Sequence, residues 1–208
     1  MSKFPSHIVI GLTGGPGVGK SEAAKVLQQL RFRIINADII GHELLIENKN
    51  IKAKLIKLLG REIVAADGSL DRRAIGQIVF ADQNVMMEFN RIIHPVLLKE
   101  LKRRIGIEAK SGSHPVVVDA ALIFEWGIAD WFDYIFVVTA TREKRLQRMR
   151  AQGLNQRQAS QRIASQISQR DKIALADFVI VNNSTRASLH KRVKSLVHKL
   201  KNTFIGNH

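Results

Sequence analysis

Short apolar segments alternate along this chain with longer segments in which apolar residues recur every three or four positions. The short segments predict β-strands, because strands covered on both faces form nearly continuous apolar runs. The longer segments predict amphipathic helices. The predicted strands are 7–12, 32–35, 116–118, 134–138 and 178–181, and the predicted helices are 21–30, 38–59 with an interruption near 48–50, 71–80, 85–105 with a break at Pro95, and 187–200. This alternation indicates an α/β fold built on a parallel sheet.

Two further stretches depart from simple alternation. Several helical segments follow one another in residues 39–110, between the second and third strands. That is too much chain for one crossover between parallel strands, so this stretch predicts an inserted helical subdomain. Residues 142–169 are polar, rich in arginine and helix-prone, with a break at Gly153.

Composition excludes several classes of protein. The chain has 208 residues and no cysteine, which excludes disulfides, cysteine-ligated zinc, iron–sulfur clusters and a thiol nucleophile. It carries 33 Lys and Arg against 18 Asp and Glu, a net charge of +15, so it attracts polyanions or phosphate-rich molecules. No apolar run reaches the ~18 residues of a membrane span, and no secretory signal is visible. We therefore expect a cytoplasmic protein with no membrane partner.

Residues 14–21 carry the sharpest motif, Gly-Gly-Pro-Gly-Val-Gly-Lys-Ser, between a predicted strand and a predicted helix. They match the phosphate-binding loop G-x-x-x-x-G-K-[ST]. Glycines let the backbone approach phosphate oxygens, and the start of the following helix attracts the anion. Lys20 has a charge that reaches the β- and γ-phosphates, and Ser21 offers a hydroxyl to Mg²⁺. The loop therefore predicts a nucleoside triphosphate as ligand, together with Mg²⁺.

Other segments narrow the kind of P-loop protein. A GTPase reads guanine with Asn-Lys-x-Asp, and the nearest stretch, 48–51, lacks the aspartate. A helicase or large ATPase needs a longer chain, so a small phosphotransferase remains. Asp38 follows the second predicted strand, where it can act on an acceptor hydroxyl or simply cap the next helix. Asp119 ends a Val-Val-Val run, as a metal-linked acid of a P-loop protein does.

Four blocks in order resemble the dephospho-CoA kinase family. They are Ile-Gly-Leu-Thr-Gly-Gly at 10–15, Ile-Asn-Ala-Asp at 35–38, Leu-Asp-Arg at 70–72 with Ile-His-Pro at 93–95, and Asp-Ala-Ala-Leu-Ile-Phe-Glu at 119–125. The resemblance spans roughly residues 8–200. Departures from the family pattern are Pro16, Val18, Glu22, Asn36 and Ala121, where the family usually has Ile, Ser, Thr, Asp and Pro.

The resemblance implies a three-layer P-loop NTPase fold in a single domain. Its expected parts are a core formed by 1–38, 114–141 and 175–208, a helical substrate subdomain at 39–113 and a helical lid at 142–174. It also implies transfer of the γ-phosphoryl group of ATP to the ribose 3′-hydroxyl of dephospho-CoA, the last step of coenzyme A synthesis. The oligomeric state stays open.

The resemblance also assigns roles to single residues. The catalytic candidates are Lys20, Asp38 and Arg148, and the metal candidates are Ser21 and Asp119. Dephospho-CoA is expected at Asp38, Arg72, His94, Glu125 and Arg162, and ATP at Gly15, Pro16, Gly17, Val18, Gly19, Lys20, Ser21 and Asn182, the last beside adenine. Simpler roles stay open for three of these residues. Arg72 is equally suited to a structural pair, His94 to a structural hydrogen bond and Glu125 to the surface.

Two other functions remain as alternatives. One is a nucleoside or nucleotide kinase on a similar scaffold. The other is a basic nucleic-acid-binding P-loop ATPase, which the net charge of +15 suggests. Aromatic residues make up only 6% of the chain and no RNA-binding motif is interleaved with the charges, so the sequence argues against a nucleic-acid partner.

Overall fold

Five strands form one sheet within residues 8–111 and 114–205, the part of the chain that the computed structural model describes. They are β1 (Val9–Thr13), β2 (Arg33–Asn36), β3 (Val116–Asp119), β4 (Tyr134–Thr139) and β5 (Phe178–Val181). Their order is β2-β3-β1-β4-β5, and β1 runs parallel to β3 and β4, as β4 does to β5. The predicted strands are confirmed, although the first was expected to begin at His7, which lies outside the described residues.

The central strands are apolar because both of their faces are covered. On one face, Ile10, Leu12 and Phe136 belong to a core cluster with residues of α1 (Lys20–Gln29) and α9 (Arg186–Ile205). On the other face, a Cβ at Gly11 would lie 2.8 Å from Cδ1 of Ile123. Glycine is therefore needed in β1 to let the chain that follows β3 pack closely.

The chain divides into two units, Met1–Ile35 with Ile105–His208, and Asn36–Arg104. The second unit contains α2 (Ala37–Glu47), α3 (Lys49–Leu59), a 3-10 turn at Arg61–Ile63, α4 (Arg72–Ala81) and most of α5 (Gln83–Ser111). The predicted interruption near 48–50 is confirmed, since Asn48 ends α2 and its side chain accepts a hydrogen bond from Ile51 N at 3.0 Å. That residues 39–113 form a substrate subdomain and residues 142–174 form a lid stays a prediction.

The predicted break at Pro95 is wrong, because α5 runs unbroken through this residue. Proline removes one backbone hydrogen bond and crowds the carbonyl four residues earlier. Pro95 and Arg91, the residue that bears this carbonyl, both lie on the exposed side of α5. Water can therefore satisfy that carbonyl, while Ile93, Leu97 and Leu101 keep the opposite side buried.

Residues 142–174 fold into three short helices, α6 (Arg142–Ala151), α7 (Gln156–Ala164) and α8 (Gln169–Ala174). The predicted break at Gly153 is confirmed, and this glycine has φ +88° after the end of α6. Asn155 and Gln158 then start α7 with reciprocal side-chain-to-backbone hydrogen bonds. Across the described ranges, no helix combines the length and the apolar character needed to cross a membrane.

Candidate active site

The glycine-rich loop joins the end of β1 to the start of α1. Gly17 and Gly19 have φ +74° and +90°, a region that other residues rarely occupy. A Cβ at Gly17 would lie 2.7 Å from the carbonyl oxygen of Arg145, and one at Gly19 would collide with the side-chain amide of Asn182. The N-cap of α1 is Gly19, which has no side chain to cap the helix. The loop therefore presents backbone and an uncapped helix end, which together suit an anion.

Lys20 and Asp119 meet beside this loop. Lys20 is the first residue of α1, and Asp119 is the last residue of β3, opposite Leu12 of β1 in the parallel pair. Their side chains form an ion pair and are only 12% and 2% exposed. The sheet thus places the predicted phosphate-binding lysine and the predicted metal-linked carboxylate in direct contact.

Arg148 and Asn182 hold the loop from its outer side. Nη1 of Arg148 donates to the carbonyl oxygens of Gly17 and Val18, both at 3.2 Å, and its Nη2 donates to the carbonyl of Asn182 at 2.9 Å. Nδ2 of Asn182 donates to the same Val18 carbonyl at 2.8 Å. Both predicted residues belong to the loop's surroundings. Their predicted contacts, Arg148 with the transferring phosphoryl group and Asn182 with adenine, stay predictions.

Arg145 also contacts the loop, and the sequence does not single it out among the arginines of 142–170. Its Nε donates to the carbonyl of Pro16 at 2.9 Å, and the side of its guanidinium packs against Gly15, where a Cβ would lie 2.6 Å from Nη2. Arg145 is only 7% exposed, and burial lowers the pKa of its guanidinium. Its distance of three residues from Arg148 is the signal available in the sequence, since residues i and i+3 share a helix face.

Glu125 lies in the chain that follows β3 and faces protein groups. Its Oε1 accepts a hydrogen bond from Ile167 N at 3.1 Å and pairs with Nζ of Lys172 at 3.0 Å. The residue is exposed as a whole, while its side chain is 19% exposed because of these two contacts. A contact between Glu125 and the substrate stays a prediction.

Asp38 lies in the first turn of α2, and its side chain is exposed. The cap of this helix is Asn36, whose side chain accepts a hydrogen bond from Ile39 N at 3.1 Å. The capping explanation for Asp38 is therefore wrong. An exposed carboxylate that serves no cap is available for chemistry.

The other residues expected at dephospho-CoA lie on separate elements. Arg72 begins α4 and lines a cavity of about 180 Å³ together with His42, Lys52 and Ser69. His94 lies within α5, where burial lowers the pKa of its imidazole. Its neutral form therefore predominates at pH 7 and suits hydrogen bonding better than anion binding. Arg162 is exposed on α7. The roles of these three residues stay predictions.

The amino-acid sequence was compared with those of known protein families and proteins. A family model described as dephospho-CoA kinase matches residues 8–188. The chain belongs to the dephospho-CoA kinase family. It is 36% identical over 194 residues to dephospho-CoA kinase of Carboxydothermus hydrogenoformans, covering 93% of this chain and 94% of the relative. It is 33% identical over 193 residues to that of Bacillus cereus, covering 92% and 96%.

Solved structures agree with this family assignment. Dephospho-CoA kinase from Campylobacter jejuni superposes with a TM-score of 0.72 at 25% identity, covering 96% of this chain and 98% of that one. The P-loop kinase fold predicted from the sequence is confirmed. The chain is a phosphotransferase of the kinase type.

The residues present would fit a Mg²⁺ ion bound together with ATP. Within the described parts of the chain, no cluster of three or more His, Asp or Glu can bind a metal ion by itself. Mg²⁺ on a nucleotide needs only one or two protein oxygens, because phosphate oxygens and water complete its octahedron. The Ser21 hydroxyl in the first turn of α1 and the Asp119 carboxylate are oxygens of this kind.

Proposed function

We propose that this chain transfers the γ-phosphoryl group of ATP to the ribose 3′-hydroxyl of dephospho-CoA, giving coenzyme A and ADP. The main support for this proposal is the phosphate loop. Its backbone is braced by Arg145, Arg148 and Asn182 in a chain that matches the dephospho-CoA kinase family over residues 8–188.

The triphosphate binds to the loop between β1 and α1. Backbone N–H groups and the uncapped start of α1 attract its β-phosphate, as helix N-termini attract anions generally. The Lys20–Asp119 pair keeps the lysine ammonium beside the loop. A bound triphosphate competes with Asp119 for this ammonium, so Lys20 carries charge to the phosphates while Asp119 becomes available as an oxygen ligand.

Ser21 and Asp119 are the residues that would hold Mg²⁺. Bound with ATP, the ion supplies positive charge to the β- and γ-phosphate oxygens. The protein supplies the rest of the positive charge through Lys20 and Arg145, which lie at the loop. Positioning and charge neutralisation of this kind account for most of the catalysis of phosphoryl transfer.

Asp38 acts on the acceptor. Its carboxylate orients the 3′-hydroxyl of dephospho-CoA and takes its proton as the oxygen attacks the γ-phosphorus. The bond between the γ-phosphorus and the β,γ-bridging oxygen breaks, and ADP leaves. The support for this role is that Asp38 is exposed and that Asn36, not Asp38, caps α2.

The acceptor assay tests this function and its alternatives together. Purified protein with ATP and Mg²⁺ is offered dephospho-CoA, adenosine or AMP, and RNA is added in a separate reaction. We expect coenzyme A from dephospho-CoA and little product from the other acceptors. Phosphorylation of adenosine or AMP alone supports a nucleoside or nucleotide kinase, and ATP hydrolysis stimulated by RNA supports the nucleic-acid alternative. Both results contradict the proposal.

A matched pair of variants links the assay to the loop. Lys20→Ala removes the ammonium beside the loop, whereas Lys25→Ala removes an exposed ammonium five residues later on the same helix. We expect the first variant to lose coenzyme A formation and the second to retain it. The cytoplasmic location and the absence of a nucleic-acid partner stay predictions.

A further inference from the structure

Lys172 is a buried lysine to which the proposed mechanism assigns no role. It lies in α8, and only 1% of the residue is exposed. Burying an ammonium costs free energy because it loses its hydration. The cost is offset only where acceptors take its protons and an opposite charge lies nearby. A lysine kept at such a position needs an explanation in the groups that surround it.

Three acceptors surround the Lys172 ammonium. Nζ donates to the carbonyl of Ala121 at 2.7 Å and to Oε1 of Gln166 at 3.1 Å, and it pairs with Oε1 of Glu125 at 3.0 Å. An ammonium has three protons, so these contacts account for all of them. Lys172 thereby connects α8, the chain between α7 and α8, and the chain that follows β3.

The segments that Lys172 contacts lie close in the chain to residues proposed to act in phosphoryl transfer. Ala121 is two residues after Asp119, the partner of Lys20. The Ala121 carbonyl also accepts a hydrogen bond from the hydroxyl of Thr13, the last residue of β1 before the phosphate loop, at 3.0 Å. Glu125, held by Lys172, accepts a hydrogen bond from Ile167 N, beyond the C-terminal end of α7. Lys172 thus contacts the turn after Asp119 directly, and it contacts the chain between α7 and α8 directly and through Glu125.

We infer that Lys172 is a positioning residue for phosphoryl transfer, acting through the Ala121 carbonyl and the Glu125 carboxylate on the turn that follows Asp119 and on the chain between α7 and α8. The inference rests on the proposed function, because the transfer that it supports is the one assigned above. An ion pair with a buried partner such as Lys172 contributes little net stability compared with apolar residues of the same shape. What the pair provides is a fixed geometry at the edge of the sheet.

The test compares Lys172→Met, which keeps an unbranched side chain one atom shorter and removes its charge, with Lys172→Arg, which keeps the charge. Lys194→Met on the exposed side of α9 is the matched control. We expect Lys172→Met to lower kcat at least about tenfold, as misplaced groups do, and to leave KM for ATP within about twofold, because its contacts are not with the loop backbone. Lys172→Arg recovers part of kcat, and the control equals wild type.

A double variant separates positioning from a general loss of packing. Glu125→Gln alone lowers kcat, and Lys172→Met combined with Glu125→Gln is no worse than Lys172→Met alone, because the two residues act as one unit. Thermal melting shows that each variant is folded at the assay temperature. If Lys172→Met does not fold, kcat of Lys172→Arg and of Glu125→Gln is compared with that of wild type instead.

Three results overturn the role of Lys172. They are a folded Lys172→Met with wild-type kcat, a loss confined to melting temperature, and fully additive effects in the double variant. A wild-type protein that forms no coenzyme A overturns the proposed function instead. An active wild type with a fully active Lys172→Met variant overturns only the positioning role.

Discussion

The phosphate-loop region and the helical second unit hold their candidate residues in different ways. Around the loop, Lys20, Arg145, Arg148 and Asn182 are buried or half-buried and engage named protein groups. In the second unit, Asp38 and Arg72 are exposed at the starts of two helices. From this difference we predict a phosphate site that is formed before ATP arrives and acceptor residues that gain their polar contacts from the substrate.

The sharpest way to break this comparison is Asp38→Asn. We expect kcat to fall by about 10²- to 10⁴-fold, because the variant loses the carboxylate that we propose as the base for the hydroxyl proton. The melting temperature stays near that of wild type, since Asp38 is exposed and caps nothing.

Asn36→Ala is the matched control for Asp38→Asn, two residues earlier. It removes the true cap of α2 and costs about 1 kcal/mol of stability, with a much smaller effect on kcat. If Asp38→Asn melts early and keeps its kcat, the carboxylate is structural.

The braced loop predicts an intermediate effect for Arg148→Ala. The carbonyls of Gly17 and Val18 and the carbonyl of Asn182 all lose a charged donor. A loosened loop binds the triphosphate less well, so KM for ATP rises about tenfold, equivalent to one charged hydrogen bond.

Arg150→Ala, two residues further along α6, is the control for Arg148→Ala. Arg150 is exposed and contacts Gln156 instead of the loop. Equal KM values for the two variants would show that the bracing contacts do not contribute to ATP binding.

We expect the smallest effect from removing an ion pair of the second unit, and this effect is on stability. Hydrogen bonds from Arg103 and Arg104 lower the pKa of Glu100 to about 2. A lowered pKa stabilises the folded state at pH above the ordinary value of 4.5, and this contribution is lost as the pH falls towards 2.

Glu100→Gln therefore lowers the free energy of unfolding by about 1 kcal/mol at pH 7, as expected for a partly exposed network of ion pairs. The difference from wild type narrows as the pH falls below 4.5. Paired thermal melts at pH 7 and pH 3 measure it. A difference that is constant across this range would contradict ionic stabilisation through Glu100.

Local patterns explain what the sequence could predict. The phosphate loop lies within eight consecutive residues and needs only a strand before it and a helix after it. The central strands β1, β3 and β4 were predictable because burial on both faces makes each of them an apolar run. The break at Pro95 was wrong because a rule about one residue ignored which side of α5 is exposed.

Distant contacts explain what the sequence could not predict. Arg145 reaches the Pro16 carbonyl across 129 positions of the chain, and Lys172 reaches Ala121 across 51. In the sequence both residues lie within a polar, arginine-rich stretch that looks like a solvated surface. Only the fold shows that they are buried beside the phosphate loop and the turn after β3.

The most direct test of the account compares ATP binding with phosphoryl transfer in two variants. Equilibrium titration with ATP and Mg²⁺ measures Kd, and a rapid-quench reaction with dephospho-CoA measures coenzyme A formed in one turnover. We predict that Asp38→Asn binds ATP with the wild-type Kd and transfers almost no phosphate, while Lys20→Ala loses both. Asp38→Asn with normal transfer, or with ATP binding as weak as that of Lys20→Ala, would contradict a preformed phosphate site served by a separate acceptor carboxylate.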